Sequence, residues 1–431
     1  MSTRNLRIAL VSEHASPLAT IGSVDAGGQN IYVSHVARGL AAAGHDVDVL
    51  TRRDDPSLPA VVDMRPGVRV IHIDAGPPRF VPKEALLPHM PAFVRSAARL
   101  FQNSVPYDVV HANFFMSGLA ALRLKELFGV PMVMTFHALG LVRREHQGNA
   151  DGFPPERIEI ERRIVREADR VIAECPQDKA DLVRLYDADA QRISTVPCGV
   201  DLDVFAPAAR AAARRDLGVR ADEFVVLQLG RMVPRKGVDN VIRAIAQLDP
   251  AVPARLLVVG GESAEPDERA TPEIGRLRRV ARDCGVADKV TFVGHRQRDE
   301  LRAYYAACDV FVTTPWYEPF GITPLEAMAC GRPVIGSAVG GIQYSVVHGV
   351  TGLLVPPHDP AALAEGLTTL HGNPALANAL GRAGVRRVRS LFTWDRVARE
   401  LADVYETVRL PGRAPRAARR LSLVRQAGVR A

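Results

Sequence analysis

Short runs of β-branched and apolar residues alternate along this chain with Ala-, Leu- and Arg-rich segments of helical period. Such alternation marks βα units built around a parallel sheet that is buried on both faces. Two series follow one another. The first has predicted strands at IALVSE, DVDVLT, RVIHID, DVVHAN, PMVMTFH, RVIAEC and ISTVPC, with helices such as IYVSHVARGLAAAG between them, and ends near GVDLDVFAP. The second runs through FVVLQLG, RLLVVGG, KVTFVG, DVFVTT, RPVIGS and GLLVPP. The pattern predicts an α/β chain of two doubly wound domains, 1–205 and 206–391, with a hinge at about 201–216. A ligand cleft is expected where the carboxyl ends of the two sheets face each other. In FTWDRVARELADVYETV, Phe392, Trp394, Val397, Leu401, Val404 and Val408 form an apolar stripe. A helix over about 392–410 must therefore dock elsewhere, and the first domain is its expected partner.

The length of 431 residues agrees with two domains, and 47% apolar with 24% charged residues is the composition of a folded, soluble chain. The formal charge of +7 is unevenly placed. Residues 411–431 hold Arg413, Arg416, Arg419, Arg420, Arg425 and Arg430 and no acid, which leaves the body at only +1. A body this close to neutral gives no footprint for nucleic acid. The tail reads as a solvated extension, with weak contact to an anionic lipid surface as its alternative. Five cysteines without C-x-x-C or zinc spacing point to a reducing cytoplasm. The N-terminal apolar run is too short for a secretory signal, and no eighteen-residue apolar stretch occurs. The oligomeric state stays open.

Three segments carry candidate chemistry. The loop SEHASPLATIGSVDAGGQN after the first strand is far longer than an ordinary βα connection and ends in Gly27 and Gly28 at a helix N-terminus, where backbone amides can approach an anion. It is not G-x-G-x-x-G, and no acidic residue follows at the proper place on the second strand, so dinucleotide binding lacks support. LGRMVPRKG places Arg231 and Lys236 beyond the first strand of the second domain, where a guanidinium and an ammonium can neutralise a diphosphate without a metal. Only five lysines occur in the chain, which adds interest to Lys236. The densest segment is WYEPFGITPLEAMACGRPV. Here Thr323 and Pro324 are predicted as N-cap and first residue of a helix reaching Ala329, with amides of Phe320, Gly321, Ile322 and Thr323 at its positive end. Seven residues separate Glu318 from Glu326, about 10 to 12 Å along a helix. That is too far for a glycosidase pair, which needs roughly 5 to 9.5 Å. Two carboxylates gripping different hydroxyls of one long ligand suit the spacing better.

The E-x7-E motif within EPFGITPLEAMACGRPVIGSAVGG, with GR…RKG and GGQN, resembles the GT-B glycosyltransferases of family 4, the retaining, nucleotide-sugar-dependent group that includes sucrose-phosphate synthases and D-inositol-3-phosphate glycosyltransferases. The resemblance runs from Arg7 to about Val408 and implies two Rossmann-like domains facing across a cleft. It implies a UDP- or GDP-sugar donor and a small hydroxyl acceptor, with no metal or other cofactor. Glu318 would contact the donor sugar and Glu326 the ribose. Arg231 and Lys236 would bind the diphosphate, approached by Gly28 from the first domain, and His137 would meet the sugar near the reaction centre. Each D-x-D is read as structure: Asp46 and Asp48 lie in a strand, Asp201 and Asp203 at the hinge.

On the acceptor side, Lys83 and Arg157 fall on basic positions that hold a phosphate in the inositol-phosphate branch. Phe114 and Ala138 stand where that branch has a Tyr and a Thr, so two hydroxyl donors are missing. Inositol phosphate is therefore not the expected acceptor. The alternatives are a sugar-nucleotide epimerase or a phosphorylase on the same fold, or specifically an inositol-3-phosphate or sucrose-phosphate type of transferase.

Overall fold

The computed structural model describes residues 5–19, 27–148 and 151–409. Within them, fourteen strands form two sheets. The first holds β1 (Arg7–Val11), β2 (Asp46–Arg52), β3 (Val61–Arg65), β4 (Val68–Ile73), β5 (Val109–Asn113), β6 (Met132–Thr135), β7 (Arg170–Ala173) and β8 (Ile193–Thr195), in the order β3-β4-β2-β1-β5-β6-β7-β8. The second holds β9 (Phe224–Leu229), β10 (Ala254–Val259), β11 (Val290–Gly294), β12 (Val310–Thr313), β13 (Val334–Ser337) and β14 (Gly352–Val355), in the order β11-β10-β9-β12-β13-β14. Every pairing is parallel except β3 with β4. In both sheets the order reverses at the first strand, so a crevice opens beside β1 and β5 and another beside β9 and β12.

Thirteen of these strands coincide with the apolar runs. The missing one, β3, has the sequence VVDMR and is exposed or half-buried throughout. A short edge strand needs no continuous apolar run, because one neighbour supplies its only ladder. By contrast β9, FVVLQL, is buried along its whole length between helices.

The chain crosses between the sheets twice, and the crossings touch. Val200 N–H donates to Phe392 O at 2.9 Å, and Val200 bridges to Thr393. The helix Trp394–Val408 then packs on the helix Gly28–Ala42 of the first sheet's layer. Trp394 meets Tyr32 edge-on and stacks on His35 with ring planes 5° apart, while Tyr405 Oη lies 2.7 Å from His111 Nδ1 under the sheet. Burial, with His137 adding to it, pushes His111 down to about 3, so it stays a neutral core residue. The Arg-rich segment 411–431 and residues 20–26 of the long first loop lie outside the described residues. No helix among the described residues is long and apolar enough to cross a membrane.

Candidate active site

Strand ends and helix starts bring Gly28, Lys236, Glu318 and the helix Ile322–Ala329 to one cleft. The helix Ile322–Ala329 begins two residues earlier than expected. Its N-cap is Gly321 at φ 89°, in the left-handed region that favours glycine, and Pro324 sits in the first turn, where its missing N–H has no intrahelical role. Across the cleft, the helix Gly28–Ala42 starts at Gly28, and a Cβ there would stand 3.8 Å from Ile322 Cδ1. Two helix N-termini, one from each sheet, thus face each other at close range. Their partial positive charges favour an anion between them. Gly27 is less available, because its N–H donates to Asn30 Oδ1 at 2.9 Å.

Lys236 closes the short helical turn Pro234–Lys236 after β9 and reaches the Glu318 carboxylate, with Nζ against Oε2. Arg235 Nη1 lies 3.9 Å from the same oxygen. Burial pushes Lys236 down to about 8; Arg235 and Arg231 push the same way, and Glu318 only partly offsets them. Burial would raise Glu318, but Lys236 first and then Arg235 and Arg231 outweigh it and hold the carboxyl below its ordinary range. The loop carrying Glu318 is held from behind by the loop after β13. A Cβ on Gly340 would lie 1.8 Å from Glu318 O, and Gly341 N–H donates to that oxygen at 3.2 Å. Neither glycine was singled out from the sequence, although a Gly-Gly pair just after a strand is a visible signal for close backbone approach.

Glu326 is buried in the helix, paired with Arg298 Nη1 at 2.9 Å and accepting from Tyr305 Oη at 3.0 Å. The Arg298 guanidinium lies over the Phe205 ring, 4.8 Å from its centroid. Its Nε and Nη2 are buried without a hydrogen-bond partner.

His137 follows β6 at φ 58°, a backbone cost for a residue other than glycine and a mark of a functional position. Its Nδ1 lies 2.9 Å from Glu174 Oε1 and its Nε2 3.0 Å from Asn113 Oδ1, while Tyr32 packs edge-on against the ring. Burial would raise Glu174, but His137 outweighs it and holds the carboxyl low. Glu174 and Asn113 went unread because each stands at a strand end with nothing local to distinguish it. Phe114 is also strained, at φ 80°, and its ring meets His14, Phe115 and Phe153.

Arg157 is not on the cleft surface. It is 1% exposed, inserted among the rings of Phe114, Phe115 and Phe153 at 4.6 to 5.0 Å, and its Nε donates to Glu161 Oε1 at 2.7 Å. Its Nη2 donates to Ala138 O, so it braces the residue after His137. The sequence could not foresee this, because the ion pair lies along a helix face that looks solvated. Lys83 is half-buried at the start of a short turn on the first domain. Asp48 is engaged by Arg7, Arg69 and Tyr107, and Asp201 accepts from Asp203 N–H, which fits a structural role for both D-x-D pairs. Among the described residues no group of three or more His, Cys, Asp or Glu is placed to hold a metal ion.

Between the two sheets, beside Glu318 and Ala138, lies a crevice of about 240 Å³. Tyr317 forms one wall: Arg235 lies over its ring, His146 from the other sheet's layer stacks on it 5.0 Å away, and Gln147 Nε2 reaches its hydroxyl.

Comparison with known proteins agrees with this geometry. Residues 209–387 match the family described as glycosyl transferases group 1, and residues 26–204 match glycosyltransferase family 4. A D-inositol 3-phosphate glycosyltransferase of Catenulispora acidiphila is 40% identical over 413 residues, covering 94% of this chain and 97% of that one. One of Xylanimonas cellulosilytica is 38% identical, covering 95% and 99%. Among solved structures, sucrose-phosphate synthase of Thermosynechococcus elongatus superposes with a TM-score of 0.86 at 38% identity, over 94% of this chain and 99% of that one. The Anabaena protein HepE, solved with UDP and glucose, shares the fold, with a TM-score of 0.74 at 22% identity over 94% of this chain and 100% of that one. With two sheets meeting at this cleft and both halves matched, the chain belongs to the glycosyl transferases group 1 and is a glycosyltransferase of the GT-B fold.

Proposed function

We propose that this enzyme moves a hexosyl group from a UDP- or GDP-linked sugar to a hydroxyl acceptor, with retention of anomeric configuration and without a metal. The observation that carries this reading is the meeting of two helix N-termini, at Gly28 and Ile322, beside Lys236 and its neighbours Arg231 and Arg235. Backbone amides and cations gathered at the diphosphate stabilise the charge that develops on it as it leaves. Glu318 takes hydroxyls of the donor sugar and Glu326 those of the ribose. His137, fixed from both ring nitrogens, borders the sugar on the acceptor side. No protein nucleophile is required: the departing phosphate oxygen takes the acceptor's proton while the acceptor attacks from the same face.

The acceptor differs from inositol 3-phosphate. The phosphate-binding hydroxyls are replaced by Phe114 and Ala138, and the Arg157 charge is already matched by the buried Glu161. A buried phosphate losing two donors forfeits about 1 to 3 kcal/mol for each.

The test is product analysis by NMR. The enzyme is incubated with UDP-glucose, UDP-N-acetylglucosamine, UDP-galactose or GDP-mannose and a set of hydroxyl acceptors, with chelator throughout. Consumption of one donor and an α-linked product support the proposal. A β-linked product, or activity abolished by chelator, contradicts it, and efficient use of inositol 3-phosphate contradicts the acceptor assignment.

A further inference from the structure

In the cleft the residue assigned to the sugar and the residue assigned to the diphosphate are bound to each other. Lys236 Nζ reaches Glu318 Oε2, and Arg235 stands 3.9 Å from the same oxygen. Both partners of the pair are largely shielded, with side chains 18% and 12% exposed, so the contact is not a loose surface pair. The Glu318 backbone cannot drift away to relieve it, because Gly340 and Gly341 press against residues 318–320 from behind. On the other flank Tyr317 is clasped by Arg235, His146 and Gln147.

We infer that Lys236 masks Glu318 until a diphosphate arrives, so that the sugar subsite forms only in the presence of the nucleotide. This rests on the proposed donor reading. A carboxylate grips two neighbouring sugar hydroxyls through both oxygens, and here one oxygen is held by an ammonium. A neutral hexose brings no charge with which to displace that ammonium. A nucleoside diphosphate, with two or more negative charges and the helix N-termini to hold it, draws Lys236 away and frees the carboxylate. The enzyme thereby ignores the free sugars around it, although it carries a ready-made sugar ligand. The device is also reciprocal: a sugar that occupies the freed Glu318 must tighten the nucleotide by the same factor by which the nucleotide tightens the sugar.

Isothermal titration of the full-length enzyme tests this with UDP and GDP as nucleotides and D-glucose, N-acetyl-D-glucosamine and D-mannose as sugars. Each sugar is titrated alone and at saturating nucleotide, and each nucleotide with and without saturating sugar. The expected result is at least one sugar whose affinity rises tenfold or more with nucleotide present, with the same factor in the reverse titration. In Lys236→Met the nucleotide binds more weakly and the coupling collapses to within twofold. Sugar affinity that changes less than twofold with nucleotide overturns the inference, as does a sugar that stays unbound in its presence. Coupling that persists in Lys236→Met also overturns it, because the cooperativity then comes from domain closure or from direct nucleotide–sugar contact. Failure of both nucleotides to bind is a different result: it defeats the donor reading, and the mask falls with it.

Discussion

At the scale of single residues, Lys236 carries the most specific prediction. Its ammonium is needed on the diphosphate, and burial that pushes it down to about 8 means that its charge is lost as pH rises above the ionisation of the UDP phosphates and before that of the uracil ring. The sign is therefore fixed: nucleotide affinity is nearly full at pH 7 and falls above pH 8, by roughly tenfold at pH 9. Titration calorimetry across this range checks it, and Lys236→Met should flatten the profile. A wild-type affinity that is level to pH 9 would contradict a lysine whose proton is loosened by burial, and an equal affinity in Lys236→Met would show that it is not the phosphate ligand. Glu326 and His137 separate differently. Glu326→Ala should weaken nucleotide binding by about 10-fold or more. His137→Asn, which tolerates the positive φ, should lower kcat by about 100-fold or more with little change in donor affinity. Normal kinetics in either variant would remove that residue from its role. Residue identities were the most legible part of this site. Glu318, Glu326, Arg231 and Lys236 stand in segments whose composition marks them, His137 is implied only by the family resemblance, and the structure brings Lys236 and Glu318 into contact. The partners that fix them, Glu174, Asn113 and Arg298, come from other strands or loops and carry no local signal.

Elements show why register was readable and ends were not. Thirteen strands announced themselves as apolar runs because both faces of each sheet are covered, whereas β3 sits at an edge and is largely exposed. The helix Ile322–Ala329 was placed two residues late because Thr-Pro is a strong start signal on its own, while the true cap, Gly321, is defined by a backbone angle. The shift leaves the amides expected at the positive end, Gly321 and Ile322 among them, opposite Gly28. The loop at Gly340 belongs to the same scale. A Cβ there collides with the carbonyl of Glu318, so Gly340→Ala should shift the whole 318–320 segment. We expect kcat/KM to fall at least tenfold with a loss of stability of about 1 to 3 kcal/mol, read from kinetics and denaturant unfolding together. An active, unshifted variant would mean that this contact does not position Glu318.

For the whole molecule, the two sheets are joined by paired crossings at Val200 and Thr393, and Trp394 wedges the last helix against Tyr32, which in turn packs on His137. The C-terminal helix is thus tied to the reaction side of the cleft. Trp394→Ala should cost about 3 to 5 kcal/mol of stability by chemical denaturation. A change below about 1 kcal/mol would show that the helix docks without it. The net charge is a poorer guide at this scale, because six of the seven excess positive charges belong to residues 411–431. Removing that segment should leave nucleotide affinity unchanged, and co-sedimentation with anionic vesicles will show whether it contributes any lipid contact.

The central claim is that the cleft holds a nucleotide sugar, and thermal unfolding with UDP-glucose, UDP-N-acetylglucosamine, UDP-galactose and GDP-mannose tests it most directly. A ligand bound only by the folded enzyme adds about 2.7 kcal/mol at a hundredfold excess over its Kd. One donor should raise the melting temperature by several degrees, and the rise should shrink in Lys236→Met. A melting temperature that none of the four moves would contradict the account.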